Sequence, residues 1–308
     1  MMDSTQDIKD STRSPLADAW AELQAHADRG EPLQPDSYRL AFADPEFLLR
    51  PETRGIRFQL ELLKPELALT AAGVHSTVVV YGGARFVAPE IAQEQLAAAQ
   101  ASGDTQALAL AERAVRTSRY YQASRDFARI VATYSLRQPQ EEKLFICTGG
   151  GPGVMEAANR GAADVDVPSV GLNIALPHEQ SANPYVTPEL TFKFHYFALR
   201  KMHFLMRARA LVAFPGGFGT LDELFEVLTL VQTRKARPVP IVLFGRDYWS
   251  RLLNLDMLVD EGAIAPEQAA AVAKTLFDMG CYEVSLGDTI GVGNPATIRR
   301  MIEACARV

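Results

Sequence analysis

Short runs of apolar, often β-branched residues alternate along this chain with longer stretches whose apolar positions recur at helical spacing. Residues 76–81 (STVVVY), 144–148 (LFICT), 169–174, 190–194, 210–214 and 239–244 read as strands. Between and after them, 107–134, 152–163, 196–208, 219–233, 246–258, 266–275 and 295–306 read as helices. Ahead of the first strand, Leu16, Trp20, Leu23 and Ala27 fall on one helical face, and 36–50 and 55–70 read as short helices parted by Pro45 and Pro51. Residues 1–14 are polar and without periodicity and read as a disordered tail.

Strand and helix in alternation predict an α/β fold, Rossmann-like and doubly wound, with a mostly parallel sheet covered by helices on both faces. The expected organisation is a tail over 1–14, a helical cap over 15–70 that packs on the main domain or on a partner subunit, and a nucleotide-binding catalytic domain over 71–308. Right-handed crossovers bring every strand's C-terminal end to one edge of the sheet. Three glycine-rich turns follow strand ends: Gly82-Gly83, Gly149-Gly150-Gly151-Pro152-Gly153 and Pro215-Gly216-Gly217-Phe218-Gly219-Thr220. They are expected to cluster at that edge, where open α/β sheets bind ligands.

Composition narrows the function without naming it. At 308 residues and 48% hydrophobic the chain is long and apolar enough for one large core plus an appendage. A formal net charge of -6 argues against a nucleic-acid partner, which calls for a basic footprint, yet leaves room for a local pocket for one phosphate. Cys147, Cys281 and Cys305 are too few and too scattered for a disulfide framework or a cysteine zinc site and read as free thiols of a reducing compartment. The polar N-terminus lacks a signal-peptide pattern, and no run approaches the roughly 20 apolar residues that span a bilayer. A cytoplasmic protein without a membrane partner is expected.

The two longer turns join strand to helix, and a helix start offers unpaired N–H groups and partial positive charge to a phosphate. Neither matches G-x-x-x-x-G-K-[ST], and the dinucleotide pattern fails because Gly151-x-Gly153 is followed by Glu156. Each turn alone is equally well a tight connection; two at one edge favour a ligand. Arg200 precedes the fifth strand and Glu223 begins the helix after it, so both can face one crevice. By spacing alone, Thr220-x-x-Glu223 reads first as a capping box, a role that can coexist with catalysis. His195 and His203 flank Arg200 without a zinc pattern and read as packing or phosphate-proximal residues. Arg207, Arg209, Arg234, Lys235 and Arg237 read as a solvated face or an interface.

These motifs resemble those of the LONELY GUY family, also described as possible lysine decarboxylases, which includes cytokinin riboside 5'-monophosphate phosphoribohydrolases. The resemblance runs over about 76–250. It rests on Gly149 through Ala162 (GGGPGVMEAANRGA), on Arg200-Lys201, on Pro215 through Glu223, which fits P-G-G-x-G-T-x-x-E at every fixed position, and on Tyr81-Gly82-Gly83-Ala84-Arg85. It implies cleavage of a nucleoside 5'-monophosphate, AMP-like or a cytokinin ribotide, to free base and ribose 5-phosphate. Arg200 and Glu223 are the implied catalytic pair. Implied substrate contacts are Gly82, Arg85, Gly150, Gly151, Met155, Lys201, Gly216, Gly217, Gly219 and Thr220, although a methionine more often packs in a core. Plant-type members usually have glycine where this chain has Glu156, and the M-E-A-A-N-R-G-A version is similar to longer bacterial members that act on purine and pyrimidine monophosphates generally.

No metal and no cofactor is expected, and a homodimer or larger homo-oligomer is. The competing readings are a nucleotide-binding sensor or carrier without turnover and a true lysine decarboxylase; the sequence offers the latter no lysine in a pyridoxal-phosphate context.

Overall fold

A computed structural model describes residues 37, 39–176, 181–237 and 239–263. The expected helices over 15–30, 266–275 and 295–306, the tail over 1–14, Cys281 and Cys305 lie outside the described residues. The chain divides into two compact units, residues 1–60 and 61–308.

In the first unit, α1 (Pro45–Leu49) begins at Asp44, whose carboxylate accepts the Glu46 and Phe47 N–H groups. The Thr53 hydroxyl and the Arg57 guanidinium then bind the Leu48 and Arg50 carbonyls left open at that helix's end. Arg57 already belongs to α2 (Arg54–Ala71), whose second half lies in the second unit.

The second unit is built on six parallel strands: β1 (Thr77–Tyr81), β2 (Phe145–Thr148), β3 (Val170–Ile174), β4 (Thr191–Phe194), β5 (Ala208–Ala213) and β6 (Ile241–Leu243). Their spatial order is β4-β3-β2-β1-β5-β6. The chain steps outward from β1 to β4 and returns to the other side of β1, so the order reverses between β1 and β5. In such sheets the crevice beyond the strand ends at the reversal receives the ligand.

All five residues of β1 are buried because both faces of the sheet are covered. Val79 and Tyr81 face one core with Leu69 of α2, Phe204 of α6 (Phe197–Met206), Leu224 of α7 (Phe218–Gln232) and Trp249 of α8 (Arg246–Leu252). Val78 and Val80 face the other, against Ala128 and Ala132 of α4 (Thr105–Ser135) and Val154, Ala158 and Ala162 of α5 (Val154–Ala163). The doubly wound arrangement read from the sequence is therefore the one observed. One helix was not anticipated: α3 (Pro89–Ser102), which buries only Ala92 and Ala99. The span expected as one helix near 246–258 is two, α8 and α9 (Leu255–Asp260). Among the described residues, no helix is long and apolar enough to cross a membrane.

Small residues set the depth of the second face. α4 and α5 cross where a Cβ on Gly161 would overlap the Arg125 carbonyl. Arg125 and Asp164 clamp the crossing through two N–H···O contacts of 2.6 and 2.8 Å.

Candidate active site

Backbone bonds tie the three glycine turns together. Gly83 N–H donates to Pro215 O at 2.9 Å, and Gly83 O accepts from Val154 N at 3.1 Å. The turns after β1, β2 and β5 thus meet at the sheet edge, as the crossover rule predicted. Gly153 stands at φ +73°, and a Cβ there would overlap Gly83 O and the Ala84 backbone. No other residue type fits this position without moving the turn after β1.

Beneath the Gly149–Gly151 turn lies a closed set of polar side chains. Thr148 Oγ1 accepts from Gly150 N at 2.9 Å and donates to Asn159 Oδ1 at 2.8 Å. Asn159 Nδ2 donates to Ser169 Oγ, and Asn183 Nδ2 donates to both Asn159 Oδ1 and Gly151 O. Asn183 N–H closes the set on Gly150 O at 2.8 Å. Thr148, Asn159 and Ser169 are buried with their bonds satisfied, which fixes the turn in one conformation. Sequence reading missed this support; Asn159 lay inside the quoted M-E-A-A-N-R-G-A motif, but its partners follow no periodicity.

Arg200 on α6 and Glu223 on α7 meet across the first face. Arg200 Nη1 lies 3.1 Å from Glu223 Oε1, and their side chains are only 10% and 14% exposed. Arg200 Nε donates to Leu172 O of β3 at 2.6 Å, and its guanidinium carbon sits 5.1 Å from the Phe204 ring centre. The guanidinium is thereby fixed from three sides. Burial pushes the Glu223 carboxyl up to about 7, and Arg200 opposes that rise without cancelling it. The Tyr81 phenol, buried at the end of β1, is raised well above its usual range by burial and then by Glu223. Lys201 pairs with Asp222 and Glu226 at 2.8 and 2.9 Å, a second link between α6 and α7.

The capping-box reading of Glu223 does not hold. α7 begins at Phe218 with Gly217 as its N-cap, so Thr220 is its third residue and Glu223 its sixth, and no side chain caps the helix. The N-terminal N–H groups of α7 are left to a ligand or solvent. Gly217 and Gly219 present an open side, with nothing within 4 Å of where a Cβ would stand. Thr220 is buried beneath Gly216, and the Tyr248 hydroxyl holds the Gly216 carbonyl.

The other predicted site residues distribute as follows. Met155 lays its sulfur beside Gly149 and its methyl beside Gly151, covering the turn. Gly82 packs against Val154. Arg85 is exposed, with no ion pair among the described residues. Lys201 is the one turned toward carboxylates. His203 is buried against Phe194, its imidazole shifted down by burial, and His195 is exposed. Arg207, expected on a solvated face or at an interface, is largely covered within the chain and bound to Glu66 at 2.6 Å. A further residue missed by sequence reading ties α2 to the start of α6: Glu61 accepts the His195 and Tyr196 N–H groups at 3.0 and 3.1 Å, just ahead of the helix.

Residues 155–277 match the model of a family described as possible lysine decarboxylase. Among characterised proteins, the hydroxymethylglutaryl-CoA lyase of Pseudomonas mevalonii is 44% identical over 88 residues, covering 29% of this chain and 27% of the lyase. The cytoplasmic 3-hydroxy-3-methylglutaryl-CoA lyase of Homo sapiens is 57% identical over 44 residues, covering 14% of this chain and 12% of that protein. The mitochondrial lyase of Arabidopsis thaliana is 52% identical over 90 residues, covering 29% and 18% respectively. The chain spans about a quarter or less of the length of these relatives. The solved structure of TM1055, a structural genomics target, aligns with a TM-score of 0.35 at 21% identity, over 54% of this chain and 72% of that one.

Proposed function

We propose that this chain, whose residues 155–277 match the model of the possible lysine decarboxylase family, hydrolyses the N-glycosidic bond of a nucleoside 5'-monophosphate to free base and ribose 5-phosphate. The family match supports an enzyme of that type. The observation behind the specific reaction is the buried Arg200–Glu223 pair, whose guanidinium lies against Gly149 of the glycine turn after β2.

In this reading the 5'-phosphate rests on the N–H groups of Gly216, Gly217, Gly219 and Thr220 at the start of α7, where the helix adds partial positive charge. The ribose lies over Gly150 and Gly151, and its C1' faces Glu223. Breaking the C1'–N bond leaves the electron pair on the base and positive charge on the ribose. Ionised Glu223 stabilises that charge and takes a proton from the water whose oxygen adds to C1'. The departing base takes up a proton. Arg200 holds Glu223 in place and stabilises negative charge on the base or phosphate.

A carboxyl that titrates near 7 is suited to this exchange, because it releases and accepts a proton near neutral pH at small cost. Incubation with AMP, CMP, GMP and a cytokinin ribotide, with chromatography for base and sugar phosphate, tests the proposal; binding without release of base would favour a sensor or carrier.

A further inference from the structure

Asn173, the penultimate residue of β3, takes no part in the polar set beneath the glycine turn. Its Oδ1 is buried and has no hydrogen-bond partner. That oxygen occupies the place where a Cβ on Gly150 would stand, so the amide rests against the turn itself. Gly150, at φ +70°, is the residue that permits the approach. One residue earlier, Leu172 O receives Arg200 Nε at 2.6 Å, and Arg200 Nη2 occupies the place of a Cβ on Gly149. The Asn173 amide and the Arg200 guanidinium therefore flank two successive residues of one turn, with Glu223 next beyond the guanidinium.

A buried amide oxygen without a donor calls for one from a ligand. Phosphate oxygens only accept and do not suit it. With C1' at Glu223, the donor one carbon away is the ribose 2'-hydroxyl. We propose that Asn173 is a substrate-binding residue whose amide receives this hydroxyl, so that the site selects ribonucleotides over 2'-deoxyribonucleotides; this rests on the hydrolase reading above. A hydroxyl both donates and accepts, so it satisfies either end of the amide. Hydrogen bonds to this position strengthen as charge develops on the sugar, which places the effect on kcat more than on KM.

The test compares kcat/KM for AMP and 2'-deoxy-AMP in the unaltered enzyme and in Asn173→Ala, with Asn173→Ser in its place should the alanine variant be insoluble. The expected preference for AMP is about tenfold, the loss of one hydrogen bond, and the variant reduces it to about one by losing rate on AMP alone. A ratio unchanged by the substitution, or equal losses on both substrates, overturns the proposal. Each ratio is taken on a single preparation, so partial loss of folded protein cancels. If the unaltered protein releases no base from any nucleotide, the hydrolase reading fails. Asn173 is then read by binding of ribose 5-phosphate against 2-deoxyribose 5-phosphate, where a preference abolished by Asn173→Ala sustains it and equal binding overturns it.

Discussion

Arg200 and Glu223 form a buried ion pair at 3.1 Å that joins α6 to α7 while Arg200 also holds the middle of β3. Removing one partner strands the other in a dry site. Arg200→Ala should cost about 3–5 kcal/mol near neutral pH and raise the Glu223 carboxyl further. Arg200→Lys should restore little, because an ammonium lacks the planar fork that serves Leu172 O and Glu223 together. Denaturant melts of both variants measure this.

The Glu223 carboxyl sits at about 7 instead of its usual 4.5. A carboxyl raised on folding binds protons more tightly in the native state, so its stability contribution is greatest below pH 4.5 and declines as pH rises toward 7. The whole decline is on the order of 3 kcal/mol. Glu223→Gln cannot titrate, so its stability relative to the unaltered protein should improve between pH 5 and pH 8. Melting temperatures across that range check the sign.

The same titration governs activity. If ionised Glu223 is the base, kcat/KM should rise about tenfold per pH unit below 7 and level off above it. A flat profile between pH 5 and 8 would assign the proton transfer to another group.

Much of the fold was legible because the large apolar residues of the strands and of α6 and α7 repeat at clear periods. α3 escaped because its buried positions are Ala92 and Ala99, which contrast weakly with the alanines around them. Glu223 was expected to face Arg200, as it does, but was read one turn too near the helix start, because Gly217 caps α7 without a side chain to signal it. The Thr148–Asn159–Asn183 set and Asn173 were invisible for a different reason. Buried polar partners are chosen by tertiary contact, at separations of 11 and 24 residues within the set, and no local period encodes them.

That polar set makes its own prediction. Asn159→Ala leaves the Thr148, Ser169 and Asn183 side chains short of partners and should destabilise by about 2–4 kcal/mol. Because Thr148 and Asn183 also hold Gly150 and Gly151, the same variant should raise KM. Calorimetry together with steady-state kinetics reads both.

Two glycines separate folding from binding. Gly153→Ala meets a positive φ and the Gly83 backbone at once and should cost about 3 kcal/mol or more. Gly217→Ala meets nothing within 4 Å and should cost under about 1 kcal/mol. Its new methyl stands where the phosphate is proposed to rest, so its effect should fall on substrate affinity, measured by titration with AMP.

The most direct measurement is release of base and ribose 5-phosphate from AMP and the other monophosphates by the unaltered protein and by Glu223→Gln side by side. Release by the first, and a loss of about 100-fold or more in the second with its fold intact, is the predicted result. Equal release by the two proteins would contradict the role given to the buried carboxylate.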